Sequence, residues 1–121
     1  MSERIELRGL RCNAIVGILD EERVRPQPLV FDLDLERPFA AAAQLDDIHA
    51  TTNYAEVLAL TCATTTRGAF RLLETLATRV GEEILGFDPE ISAVTVAVRK
   101  VRPPVAHDVA TVGVRCTVRR A

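Results

Sequence analysis

Apolar and polar side chains alternate with a period of two over four stretches of this chain. In LVFDLDLE, Leu29, Phe31, Leu33 and Leu35 fall on one side and Val30, Asp32, Asp34 and Glu36 on the other, the pattern of a strand with one buried face. RIELRGLRCNAIVG alternates too, with Ile5 and Leu7 in phase, then Cys12, Ala14 and Val16 in phase after a change of parity near Gly9 and Leu10. One inserted residue changes parity in this way, which predicts a β-bulge. The two stretches predict an antiparallel hairpin. GILDEERVRPQP between them reads as a loop, with Gly17 at its entrance and Pro26 and Pro28 at its exit. ISAVTVAVRK and VATVGVRCTVRR close the chain as two more strands. The first sets Val94, Val96, Val98 and Lys100 on one face; the second sets Val112, Val114, Cys116 and Val118 against Thr111, Gly113, Arg115 and Thr117.

Between the strand pairs the period lengthens. Pro38 followed by FAAAAQ predicts a short helix, since proline fits a first turn. DDIHATTN is a connection, after which Asn53 and Glu56 have the spacing of an N-cap and its reciprocal glutamate, so a helix begins at Tyr54 and stops before Gly68. FRLLETLATRVGEEILG places Leu72, Leu73, Leu76, Ala77, Val80 and Ile84 on one face and Arg79 and Glu82 on the other, ending at Gly86. The order β-β-α-α-β-β predicts an α+β fold, a four-stranded antiparallel sheet with both long helices on one face. Such a sheet has two open edges. Pairing with further copies would hide them, which predicts a ring-shaped homo-oligomer.

Bulk properties narrow the function without naming it. The 121 residues suit a single domain, 1–121, and 48% apolar with 26% charged residues is an ordinary globular balance. A net charge of −2 offers no positive field for nucleic acid or an anionic membrane, so neither is expected as a partner. MSERIELRGL lacks a secretion h-region and no apolar run suits a membrane helix, which predicts a cytoplasmic protein. Cys12, Cys62 and Cys116 are odd in number and widely spaced, and read as small buried hydrophobes or inert thiols rather than a disulfide framework.

The candidate chemistry is that of acids and bases. His49 and His107 are far apart and read as surface or loop residues, so no metal site is expected. The Walker, dinucleotide and nucleophile-elbow motifs are absent, and serine occurs only at Ser2 and Ser92. Among 15 basic residues Lys100 is the only lysine. Arginine does not release its proton at neutral pH, whereas a partly desolvated lysine is able to shuttle one. A lysine at the end of a valine face is also a common solvated strand end, and these residues alone leave both readings open.

Four segments, GILDEER after the first strand, TTNYAEV and RLLETLA opening the two helices, and VAVRK ending the third strand, resemble dihydroneopterin aldolase in order and spacing. The resemblance implies the tunnelling fold and a homo-octamer of two stacked tetrameric rings, with active sites at subunit junctions. It implies a carbon–carbon lyase of folate biosynthesis that cleaves 7,8-dihydroneopterin, a small-molecule pterin, to 6-hydroxymethyl-7,8-dihydropterin and glycolaldehyde. No cofactor, metal or Schiff base is implied. By the same resemblance Lys100 is the catalytic lysine, Tyr54 relays a proton, Glu22 lies near the polyol tail and Glu74 holds the pterin ring, with Leu73 adding backbone hydrogen bonds; Glu21 is read as solvated. One departure stands out: Lys100 is followed by Val101, not by the proline many members carry. A related 2′-epimerase of dihydroneopterin triphosphate also lacks that proline, and Arg23, Arg25, Arg99 and Arg102 could meet a triphosphate. The alternatives are therefore the epimerase and a non-catalytic pterin-binding module.

Overall fold

A computed structural model describes residues 3–121. The strands are β1 (Arg4–Ala14), β2 (Gln27–Glu36), β3 (Ala93–Lys100) and β4 (Val112–Arg119), joined in that order into one sheet. Every neighbouring pair is antiparallel. The bulge lies where parity changes: Leu7 faces Leu33 but Leu10 faces Phe31, so β1 carries one residue more than β2. Gly9 takes the positive φ of 75° that the extra residue requires, and its amide donates to Asp32 Oδ1 at 2.8 Å.

The helices are α1 (Asp20–Val24), α2 (Ala40–Leu45), α3 (Tyr54–Gly68) and α4 (Leu73–Phe87), with a 3₁₀ turn at Ile48–Ala50. Asn53 caps α3 as its sequence predicts, accepting the Ala55 amide at 3.0 Å. α3 packs over β1 and α4 over β3 and β4, so both long helices cover the same face. Gly81 permits the close approach, because a Cβ there would sit 2.6 Å from Val118 Cγ2. Beneath lie Leu29, Phe31, Leu33 and Leu35 from β2 and Val94, Val96 and Val98 from β3, each at 0–1% exposure. Burial of this alternating row is what fixes the register. Among the described residues no helix is long and apolar enough to cross a membrane.

Three expectations need correction. The segment after Gly17 is not all loop, for Asp20–Val24 forms a five-residue helix whose acidic first turn suits the helix dipole. It is too short to leave an apolar period. Leu72 does not join the buried face of α4: the helix starts one residue later, and Leu72 sits before it in extended conformation, 49% exposed. Cys12 and Cys62 are not separate inert thiols but a disulfide, with Cα atoms 5.7 Å apart, pinning α3 onto β1. Fifty residues separate the two cysteines, and only the docked helix brings them together. Cys116 is free and half-buried.

Candidate active site

Lys100 ends β3 opposite Leu29 of β2 and Val112 of β4, where the valine row runs out from under the helices. Its Nζ donates to Glu22 Oε2 at 2.8 Å, and the two side chains are only 14% and 6% exposed. Glu22 reaches this position because α1 folds the chain back over the strand ends. Gly17 leads into the turn with φ of +131°, and a Cβ on it would collide with the Glu22 carboxylate, so only glycine fits.

Further bonds fix the carboxylate. Gln27 Nε2 donates to Glu22 Oε2 at 3.1 Å and to the Val16 carbonyl at 2.9 Å, and the Leu19 amide approaches Glu22 Oε1 at 3.4 Å. Burial works to raise the pKa of this carboxyl; the hydrogen bonds from Lys100, Gln27 and Leu19, with the Lys100 charge, outweigh it and hold the pKa below the usual glutamate value. Glu22 is therefore a carboxylate at neutral pH. Arg23 braces the turn from the other side, donating to the carbonyls of Gly17 at 3.0 Å, Ala69 at 2.8 Å and Phe70 at 3.1 Å. These bonds, with Gly17 N–H to Phe70 carbonyl at 3.0 Å, join the turn to the link between α3 and α4. The sequence did not single out Gln27, and it marked Arg23 only as a cation able to meet a triphosphate; neither residue carries a local signal of these contacts.

Glu74 lies in the first turn of α4, exposed, beside buried Leu73. α4 crosses the sheet with Gly81 over Val118 and Val96. From that crossing the helix runs back to Leu73 by roughly 12 Å, while the strand runs on to Lys100 by roughly 13 Å. The bonds from Arg23 and Gly17 to Ala69 and Phe70, just ahead of α4, set the direction of that run, so Leu73 and Glu74 share an end of the molecule with Lys100 and Glu22. Tyr54 does not. It opens α3, 57% exposed, just after Thr52, whose hydroxyl bonds Asp88 at the far end of α4. The length of α4 puts roughly 20 Å between that end and Glu74 within one chain. Glu21 is exposed, as expected of a solvated residue, and so are His49 and His107.

The dihydroneopterin aldolase family model (FolB) matches residues 5–117. The dihydroneopterin aldolase of Streptococcus pyogenes is 31% identical over 112 residues, covering 93% of this chain and 94% of that one. The chain belongs to the dihydroneopterin aldolase family. The Bacillus subtilis dihydroneopterin aldolase is 29% identical over 120 residues, 98% of this chain and 99% of that one. The crystal structure of E. coli dihydroneopterin aldolase in complex with neopterin superimposes with a TM-score of 0.87 at 25% identity, over 96% of this chain and 98% of that one. In this chain Lys100 and Glu22 form an ion pair held largely out of bulk water, a geometry that permits proton exchange.

Proposed function

We propose that this chain is a dihydroneopterin aldolase that splits the side chain of 7,8-dihydroneopterin without metal or imine. The observation that carries the reading is the 2.8 Å contact of its one lysine with a buried carboxylate. In the proposed reaction the substrate's side-chain hydroxyl gives its proton to the Lys100–Glu22 couple. The adjacent carbon–carbon bond then breaks. Its electron pair moves into the ring C=N bond, the oxidised fragment leaves as glycolaldehyde, and a proton returned to the ring-side carbon completes the hydroxymethyl product. Glu74 accepts paired N–H bonds from the pterin edge, as a carboxylate does from guanidinium, and Leu73 adds backbone contacts. Glu22 also faces the polyol tail, and Tyr54 relays a proton.

Tyr54 enters this scheme from a neighbouring copy. Two features support a shared site. β1 and β4 are each hydrogen-bonded on one side only. Apolar side chains stand exposed at both ends of the molecule: Ile18, Val24 and Leu72 around the Lys100 end, and Leu45, Ile48 and Phe87 around the Tyr54 end. Head-to-tail pairing would bury both sets and close the sheet, as in a homo-octamer of two rings in the cytoplasm. A compact monomer at micromolar concentration would contradict it.

The epimerase alternative asks for cations to hold a triphosphate. Arg23 spends its guanidinium on three carbonyls, and Arg99 pairs with Asp32 at 3.1 Å on the sheet's other face. Arg25 and Arg102 remain exposed. Product analysis with dihydroneopterin and its triphosphate decides: glycolaldehyde release from the first is expected, while a 2′-epimer as sole product, or no turnover, sinks the proposal. Glu74→Ala should raise KM by about 10- to 100-fold through loss of a charge-assisted pair and leave kcat within a few-fold. An unchanged KM would remove Glu74 from the pterin edge.

A further inference from the structure

The end of the molecule that carries Tyr54 holds a second buried ion pair, which the aldolase chemistry does not use. Arg37 follows β2 and is 9% exposed. Its guanidinium donates to the Pro38 carbonyl at 2.9 Å, Thr52 Oγ1 at 3.1 Å, Asp88 Oδ2 at 3.4 Å and the Ala50 carbonyl at 3.3 Å. Thr52, 3% exposed, donates its own hydroxyl to Asp88 Oδ2 at 2.5 Å. Asp88 is the residue that ends α4. A carboxylate at a helix C-terminus opposes the dipole, so it needs the arginine to sit there. Together the pair grips one threonine.

The position of that threonine gives the grip its meaning. Thr52 stands two residues before Tyr54, with the N-cap Asn53 between them. Tyr54 itself is exposed and none of the hydrogen bonds described above reaches its phenol, so its placement depends on the backbone that leads into α3. That backbone is extended at Thr51 and Asn53, and Thr52 is its buried anchor. The same segment and Asp88 line a cleft of about 360 Å³ with Glu56 and Phe87.

We propose that Arg37 and Asp88, acting through Thr52, are positioning residues for Tyr54: they fix the entrance of α3 so that the phenol of one copy meets the Lys100 end of the next. The inference rests on the reading of Tyr54 given above. Displacing a reacting group by about 1 Å can cost about a hundredfold in rate, so a lost anchor should be visible in turnover.

The test is a double-mutant cycle in the full chain, reading kcat and KM for glycolaldehyde release together with the melting temperature. Thr52→Val keeps the shape and removes the hydroxyl. It should lower kcat about tenfold or more in the wild-type background, less than about twofold in a Tyr54→Phe background, and Thr52→Ser should restore the rate. Asp88→Asn is the second variant, expected to lose less than Thr52→Val and again only when Tyr54 is present. Equal losses in both backgrounds, or an unchanged kcat in Thr52→Val, overturn the positioning role while leaving Tyr54 in place. Full activity in Tyr54→Phe alone overturns the catalytic reading of Tyr54 and this inference with it.

Discussion

The two buried ion pairs lie at opposite ends of the protein and differ in what they leave unused. Arg37 spreads its donors over four acceptors, and Asp88 takes two of the bonds in that knot. Lys100 has one acceptor among the described residues, Glu22, while the carboxylate has Gln27 and Leu19 besides. An arginine that cannot deprotonate and commits four of its five N–H donors holds structure. A lysine with donors to spare, at the end of a strand, can move protons. The difference lies in residue type and in unsatisfied capacity, since burial of the two pairs is similar.

The sharpest way to break this contrast is to neutralise each cation. Lys100→Met should lower kcat by about 10²- to 10⁴-fold, the usual scale for a positioned acid–base group. Its effect on the fold should be smaller, because Lys100 gives up one hydrogen bond where Arg37 gives up four. Arg37→Met should do the reverse in stability, costing about 3–5 kcal/mol by leaving the Asp88 carboxylate without its cation. Denaturant midpoints and single-turnover rates on the two variants separate the cases. Comparable stability losses, with kcat preserved in Lys100→Met, would erase the distinction.

The disulfide between Cys12 and Cys62 sits between the ends and tests whether they respond separately. Closing a loop of 50 residues is worth about 4 kcal/mol by the chain-entropy rule, and engineered or reduced cases often deliver less. The Cys12→Ser, Cys62→Ser double variant should therefore unfold at lower denaturant, by up to about 4 kcal/mol. Its kcat should stay near the parent value, because neither sulfur touches Glu22 or Lys100. A stability curve unmoved by reductant would show that the bridge contributes nothing.

What the sequence made legible divides along the same lines. The alternation of LVFDLDLE and VTVAVRK specifies strands whose buried rows are Leu29 to Leu35 and Val94 to Val98, because period and burial are the same physical fact. The parity change at Gly9 and the cap at Asn53 were legible for a similar reason, as each is a local rule. The lysine's partner was not. Seventy-eight residues separate Glu22 from Lys100, and the turn that brings them together is a five-residue helix with no period to read. The bonds of Gln27 and Arg23 and the Arg37 knot arise only in the folded chain. For Tyr54 the sequence supplied the helix start, but the distance to Lys100 belongs to the tertiary arrangement.

The smallest expected effect is also the one that best distinguishes a charged couple from a neutral one. Hydrogen bonds from Lys100, Gln27 and Leu19 hold the folded pKa of Glu22 below the ordinary value of 4.5 despite burial. A carboxyl depressed on folding adds stability that is fully present above 4.5, the unfolded value, and is lost as the pH falls through the lower folded one. Comparing melting temperatures of the parent and Glu22→Gln from pH 7 downward should give a constant difference to about 4.5 and a shrinking one beneath it. If the difference already narrows between pH 7 and 5, the carboxyl takes up its proton too early, burial outweighs the hydrogen bonds, and Lys100 faces a neutral acid. The two ends would then differ in charge as well as in spare donors, and proton exchange at Lys100 would have to run through the acid rather than the carboxylate.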